Sequence, residues 1–168
     1  LITLFSTLKM VSVYSVYNMV MSGINGIMSV FSTGVSAGFG ELLVKDDSQA
    51  FKKAYRDFEY LYYVMASVVY GVTLATILPF VHVYTHGVTD VEYTNLYFAL
   101  LFVLNGVFYN LKTPQGMLVI AAGLYKETRI QSTIQASILL VGGVVLGFQF
   151  GLIGVMAASC LSNLYRCI

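Results

Sequence analysis

A lysine stands inside the apolar run TNLYFALLFVLNGVFYNLKTPQGMLVIAAGL, residues 95–124. Asn105, Tyr109 and Lys112 follow one another at i, i+4 and i+7, so a helix would carry all three on one face. An ammonium deep in a hydrocarbon layer costs about 2.5–3.5 kcal/mol on insertion scales, and such groups turn toward a partner or a water-filled space. Pro114 comes two residues later. It lacks an N–H, so it predicts a kink beside the charge that leaves the Asn110 carbonyl without its helical donor. Gly116 loosens the same turn. A cation at a broken helix is a device for meeting an anionic group within the membrane.

A second constellation lies in VSVYSVYNMVMSGINGIMSVFSTGVSAGFG, residues 11–40. Ser15, Asn18, Ser22, Asn25, Ser29, Ser32 and Ser36 are spaced alternately by three and four, which places them on one helix face. Lipid offers an asparagine no hydrogen bond, so this stripe is expected to look into the protein interior. Two uses fit it. Small polar residues, with Gly34 and Gly38 as a small-xxx-small pair, allow close helix packing. The same face, above all Asn18, Ser22 and Asn25, could instead form the wall of a hydrated cavity.

Other chemistry finds little support. All the carboxylates, from Glu41 to Glu127, are placed in loops or at span ends, whereas ion coupling commonly uses carboxylates within the membrane. His82 and His86 have metal-ligand spacing but no third ligand nearby, and a helix end is expected there, so no metal site is assigned. No nucleophile–base pair and no glycine-rich phosphate loop appears, which leaves an enzyme unsupported and no cofactor expected. Cys160 and Cys167 are two helical turns apart, about 10 Å, too far for a disulfide. No basic cluster is interleaved with aromatics, so nucleic acid is not an expected partner.

The elements that must hold these residues are apolar helices. Hydrophobic residues make up 58% of the chain and charged residues 10%, far below the roughly 25% that lets a soluble domain face water. Apolar stretches at 11–40, 60–81, 95–124, 132–150 and 151–165, with 1–8 as the tail of another, predict an all-α polytopic transmembrane bundle of about five full spans plus the end of a sixth. The chain, 1–168, reads as one such bundle. It opens and closes beside apolar runs and is expected to be a fragment of a larger protein. Lysine and arginine fall in alternate loops: 45, 52, 53 and 56 in the 41–59 loop, 126 and 129 in the 125–131 loop, then Arg166. The opposite side has only Lys9. That bias assigns the basic loops to the cytoplasm. Phe51, Tyr55 and Phe58 opposite Lys52, Lys53 and Arg56 predict a surface-lying helix in the 41–59 loop. Tyr60, Tyr62, Tyr63, Tyr84, Tyr93 and Tyr97 suggest an interfacial belt.

On these elements the segments VSVYSVYNMV, PFVHVYTHGVTDVEY, LKTPQGMLVIAAGLYKETR and GLIGVMAASCLSNLYR, in that order, resemble the polysaccharide flippases of the multidrug/oligosaccharidyl-lipid/polysaccharide exporter superfamily. Lipid-linked oligosaccharide and O-antigen flippases belong there. The resemblance implies a MATE-like half, packed in the whole protein against the other half of the same transporter around a central cavity. It further implies alternating-access export of undecaprenyl-pyrophosphate-linked oligosaccharide across the bacterial cytoplasmic membrane for surface polysaccharide or lipopolysaccharide synthesis. Lys112 would match the family's cationic cavity residue. A drug or cation antiporter of the same superfamily would need carboxylates inside its helices. A non-transporting membrane scaffold would need neither the lysine beside the proline nor the polar stripe.

Overall fold

The computed structural model describes residues 8–44, 48–88 and 91–167, and its elements are all α-helices: α1 (Leu8–Val44), α2 (Ser48–Tyr84), α3 (Leu96–Leu111), α4 (Thr113–Ala121) and α5 (Tyr125–Cys167). The helix tail expected over 1–8 lies, except for Leu8, outside the described residues, as do Lys45 and Asp90 and the side chain of Ser36.

Helices α1 and α2 form a long antiparallel pair. Each has 37 residues, or about 55 Å, well beyond a hydrocarbon layer about 30 Å thick. Aromatic rings zip their connected ends together. Phe39 of α1 meets Phe51, Tyr55 and Phe58 of α2 at centroid distances of 5.8, 6.0 and 5.4 Å. The expected surface-lying helix is therefore corrected. Its apolar face packs on α1 instead of on lipid headgroups, and of the expected 41–59 loop residues 41–44 belong to α1 and 48–59 to α2. Two carboxylates placed at a span end consequently ride on the continuous α2. Asp57 is exposed, and Glu59 accepts a hydrogen bond from the Tyr63 hydroxyl at 3.2 Å.

Helix α3 runs parallel to α1. Asn95 caps its start, its Oδ1 accepting the N–H groups of Tyr97 and Phe98 at 2.9 and 3.3 Å. The Tyr17 hydroxyl fixes this corner by donating to the Tyr93 carbonyl at 2.9 Å, while its ring stacks on Phe98 and Phe102. Tyr93 and Tyr62 are buried and do not belong to an interfacial belt, whereas Tyr60, Tyr84 and Tyr97 are exposed.

The helix breaks where the lysine and proline predict. Helix α3 ends at Leu111, Lys112 forms the joint, and α4 starts at Thr113 with Pro114 in its first turn. The Asn110 carbonyl still accepts a bond, from the Lys112 N–H, within a tightened turn. Pro114 and Met117 are buried as α4 leans onto α1. Helix α4 closes on Gly123 at φ 68°, with Leu124 N–H bonded to Val119 O and Gly123 N–H to Ile120 O. The expected 125–131 loop is thus only residues 122–124, and Lys126 and Arg129 ride on the first turns of α5.

Helix α5 folds back on itself at Gly151, whose φ of 60° and ψ of −136° suit glycine because no Cβ is there to clash. The limbs are clamped by Ser162 Oγ donating to Gln135 O at 2.9 Å and Arg166 Nη1 donating to Ser132 Oγ at 2.8 Å. The returning limb runs parallel to α3 in a fixed register. Cys160 Sγ donates to Leu101 O at 3.4 Å and Cys167 Sγ to Phe108 O at 3.3 Å, the same offset along both helices. Both cysteines are free thiols.

Three segments among the described residues are long and apolar enough to cross a membrane: Gln49–Tyr84, Leu96–Ile120 and Tyr125–Cys167. That measure falls short of the expected five spans and a partial sixth. Helix α1 is not among the three, and the segments 132–150 and 151–165 are limbs of one folded helix.

The hairpin yields a stability test. A methyl added at Gly154 would run into the Leu146 carbonyl, whereas one at Gly23 meets nothing within 4 Å. Gly154→Ala is expected to lower stability by about 1–3 kcal/mol because the opposing atoms are backbone and cannot turn aside. Gly23→Ala should be neutral or slightly stabilising. Thermal unfolding midpoints in detergent micelles compare the two.

Candidate functional site

The helix break opens a cleft. Because α4 leans toward α1, it diverges from α5, and a space of about 630 Å³ is left between them. Lys112, Gln115, Gln131, Ser132, Gln135 and Arg166 supply its polar lining, and Met117, Val119, Ile120 and Tyr165 are among the apolar and aromatic residues around them. Two cations and several amides and hydroxyls face this cleft, and among the described residues no carboxylate lines it.

Lys112 is held in place from two sides. Its Nζ donates to Asn163 Oδ1 at 2.7 Å and stands 5.0 Å from the centroid of the Tyr109 ring. Neither partner carries a charge, so the ammonium is oriented but not neutralised. Asn163 engages one of its three donors. Asn163 also accepts from Gln135 Nε2 at 3.2 Å and donates to Asn105 Oδ1 at 2.7 Å, and Ser159 Oγ reaches the same Asn105 oxygen at 3.1 Å. Arg166 is turned by its bond to Ser132. An array of fixed, unneutralised donors such as this suits an oxyanion, since charge-assisted hydrogen bonds to phosphate or carboxylate are roughly twice as strong as neutral ones.

The structure therefore brings Asn105, Tyr109 and Lys112 together and adds Asn163, Gln135, Ser159 and Arg166 to them. Lys112 lies level with Asn163, about 18 Å along the helix axis from the Gly151 turn and one turn from Arg166. The cleft sits toward the end of the molecule that carries Lys126, Arg129 and Arg166.

The stripe on α1 divides. Asn25 turns inward to a buried knot. Asn110 Nδ2 donates to Asn25 Oδ1 at 3.0 Å and to the Tyr70 hydroxyl at 2.6 Å, Tyr62 donates to Asn110 Oδ1 at 2.7 Å, and Tyr70 donates to Asn25 Oδ1 at 3.1 Å. Ser32 is buried too. Ser15, Asn18, Ser22 and Ser29 are exposed. The packed edge of α1 is Val13, Tyr17, Met21 and Met28, about 100° round the helix from the stripe. The expectation that the whole stripe looks inward is thus not met by the packing of this chain. None of the described stripe side chains lines the Lys112 cleft.

Spacing along one helix could not pair Lys112 with Asn163 or Asn25 with Asn110, because these contacts cross between helices. The available signal was cruder: Asn110, Gln135 and Asn163 are amides inside apolar runs. His82 sits in the last turn of α2 and His86 in the turn beyond it.

The knot and the stripe respond differently to truncation. Asn110→Ala strands the buried Tyr62 hydroxyl and leaves Tyr70 and Asn25 only each other, at a cost of about 1–3 kcal/mol. Asn18→Ala, on the open side, should leave the unfolding midpoint unchanged. A comparable loss from both would show that the stripe is packed. No family model, curated protein or solved structure matches this chain.

Proposed function

We propose that this chain is one helical half of a membrane transporter that carries an anionic, lipid-linked substrate, and that the substrate is undecaprenyl-pyrophosphate-linked oligosaccharide bound for surface polysaccharide. The observation that carries the reading is Lys112. It is a membrane-helix cation at a break, tied to an amide and an aromatic ring, facing a cleft with a second cation and, among the described residues, no acid. A pyrophosphate can use the remaining ammonium donors and the Arg166 fork, while the amides and hydroxyls of Gln131, Gln135 and Thr113 suit sugar hydroxyls. The resemblance to polysaccharide flippases supports the same substrate class. The exposed face of Ser15, Asn18, Ser22 and Ser29 supports a second polar surface, to be completed by the other half of the transporter. On this reading the protein resides in the bacterial cytoplasmic membrane and binds its substrate from the cytoplasmic side, where the basic helix ends lie. A cation antiporter is the weaker reading, because the cleft's charge has the wrong sign for its cargo.

In cells whose polysaccharide export depends on the protein, Lys112→Ala is expected to lower export about tenfold or more at unchanged membrane protein level, the value of one charge-assisted contact. Normal export at normal protein level removes Lys112 from the site. A second measurement addresses α1. With Cys160 and Cys167 replaced by serine, cysteines at positions 18 and 22 should react with membrane-impermeant thiol reagents in the intact transporter. Protection of both in every state would mean that this face is dry, and the cavity wall would be lost.

A further inference from the structure

A groove separates α2 from α3 on the side of α3 that neither α1 nor α5 touches. It has a volume of about 330 Å³. Helix α1 meets α3 through Phe98 and Phe102, and α5 meets it through Leu101, Asn105 and Phe108, so no described element covers the groove. Ser67 and Gly71 of α2 make one side shallow, and space is open above Gly71. Leu100, Leu104 and Leu111 of α3 make the other side apolar. From Leu74 to Tyr63 the groove follows α2 for about 16 Å, half the roughly 30 Å of a hydrocarbon layer and so the depth of one leaflet.

Charge lies in line with it. Lys52 and Arg56 precede Tyr63 by eleven and seven residues, which at about 100° per residue puts both within about 20° of Tyr63 around the helix. Both are exposed. Arg56 stands about 10 Å beyond the Tyr63 end of the groove, at headgroup depth, with Lys52 a turn further out. Glu59 lies between and is engaged by the Tyr63 hydroxyl, leaving a net positive balance at the groove mouth. We propose that this groove is a binding site for an anionic phospholipid of the inner leaflet, its acyl chain lying between α2 and α3 and its phosphate meeting Arg56 and Lys52. Apolar length fixes the chain, and the two cations select the headgroup. The site is separate from the Lys112 cleft and does not depend on the transport reading.

The chain has no tryptophan, so a single engineered one reports on its own position. Leu104→Trp is reconstituted in phosphatidylcholine vesicles that contain a minority of phosphatidylglycerol. Acyl chains are brominated on phosphatidylglycerol in one preparation and on an equal mole fraction of phosphatidylcholine in the other. Quenching per brominated lipid should be about fivefold more efficient for phosphatidylglycerol, the effect of one net basic residue at an anionic surface. Combining K52Q with R56Q, which leaves Glu59 unopposed, should abolish or reverse the preference for phosphatidylglycerol, and E59Q should widen it. Val68→Trp, on the opposite exposed side of α2, should be quenched equally by both lipids. Equal quenching of Leu104→Trp overturns the proposal in favour of ordinary boundary lipid. Absence of quenching overturns it in favour of a groove closed by protein, such as a second copy. Leu100→Trp reads the same groove if Leu104→Trp fails to insert.

Discussion

A side-chain amide that leaves water for the interior of an apolar helix bundle must find its partners within the protein, because hydrocarbon offers none. Asn110 meets that demand by drawing on three helices at once: Asn25 from α1, Tyr62 and Tyr70 from α2, and the Gly106 carbonyl from its own α3. Removing any one helix would strand the others' polar atoms. This makes the knot a determinant of relative placement more than of bulk stability. Among the described residues no buried side-chain nitrogen or oxygen lacks a partner.

The orientation of Lys112 follows from that placement. With α3 pinned on the Asn110 side, the side chains about half a turn away face α5, and there a second set of amides has formed around Asn163. Proline at the next turn prevents α3 from continuing straight. Helix α4 therefore turns toward α1 and buries Pro114 and Met117, and the space it vacates is the cleft. Fold and candidate site thus have one cause. The residues that interrupt the helix also supply its charge and open the room around it.

The hairpin of α5 contributes stiffness. Its limbs approach so closely that only glycine fits at Gly154, and the positive φ at Gly151 makes the reversal compact. Two thiol–carbonyl contacts then hold the returning limb against α3 in one register, which carries Asn163 to the level of Lys112. A shift of one turn would move that amide about 5 Å and break its bond to the ammonium.

Local chemistry along single helices was legible in the residues themselves. Hydrophobic runs and sparse charge give an all-helical membrane chain, and Lys112 and Pro114 give the break. These readings need only period, length and backbone sterics. What spacing on one helix cannot contain is the neighbour. That Phe51, Tyr55 and Phe58 pack on Phe39 and not on headgroups, that Tyr62 is buried, and that the α1 stripe lies mostly on an open face all depend on which helix comes to lie alongside. The pairing of Lys112 with Asn163 across 51 residues belongs to the same class. Periodicity tells a helix which of its sides differ, and only packing against the other helices decides which side is in and what it meets there.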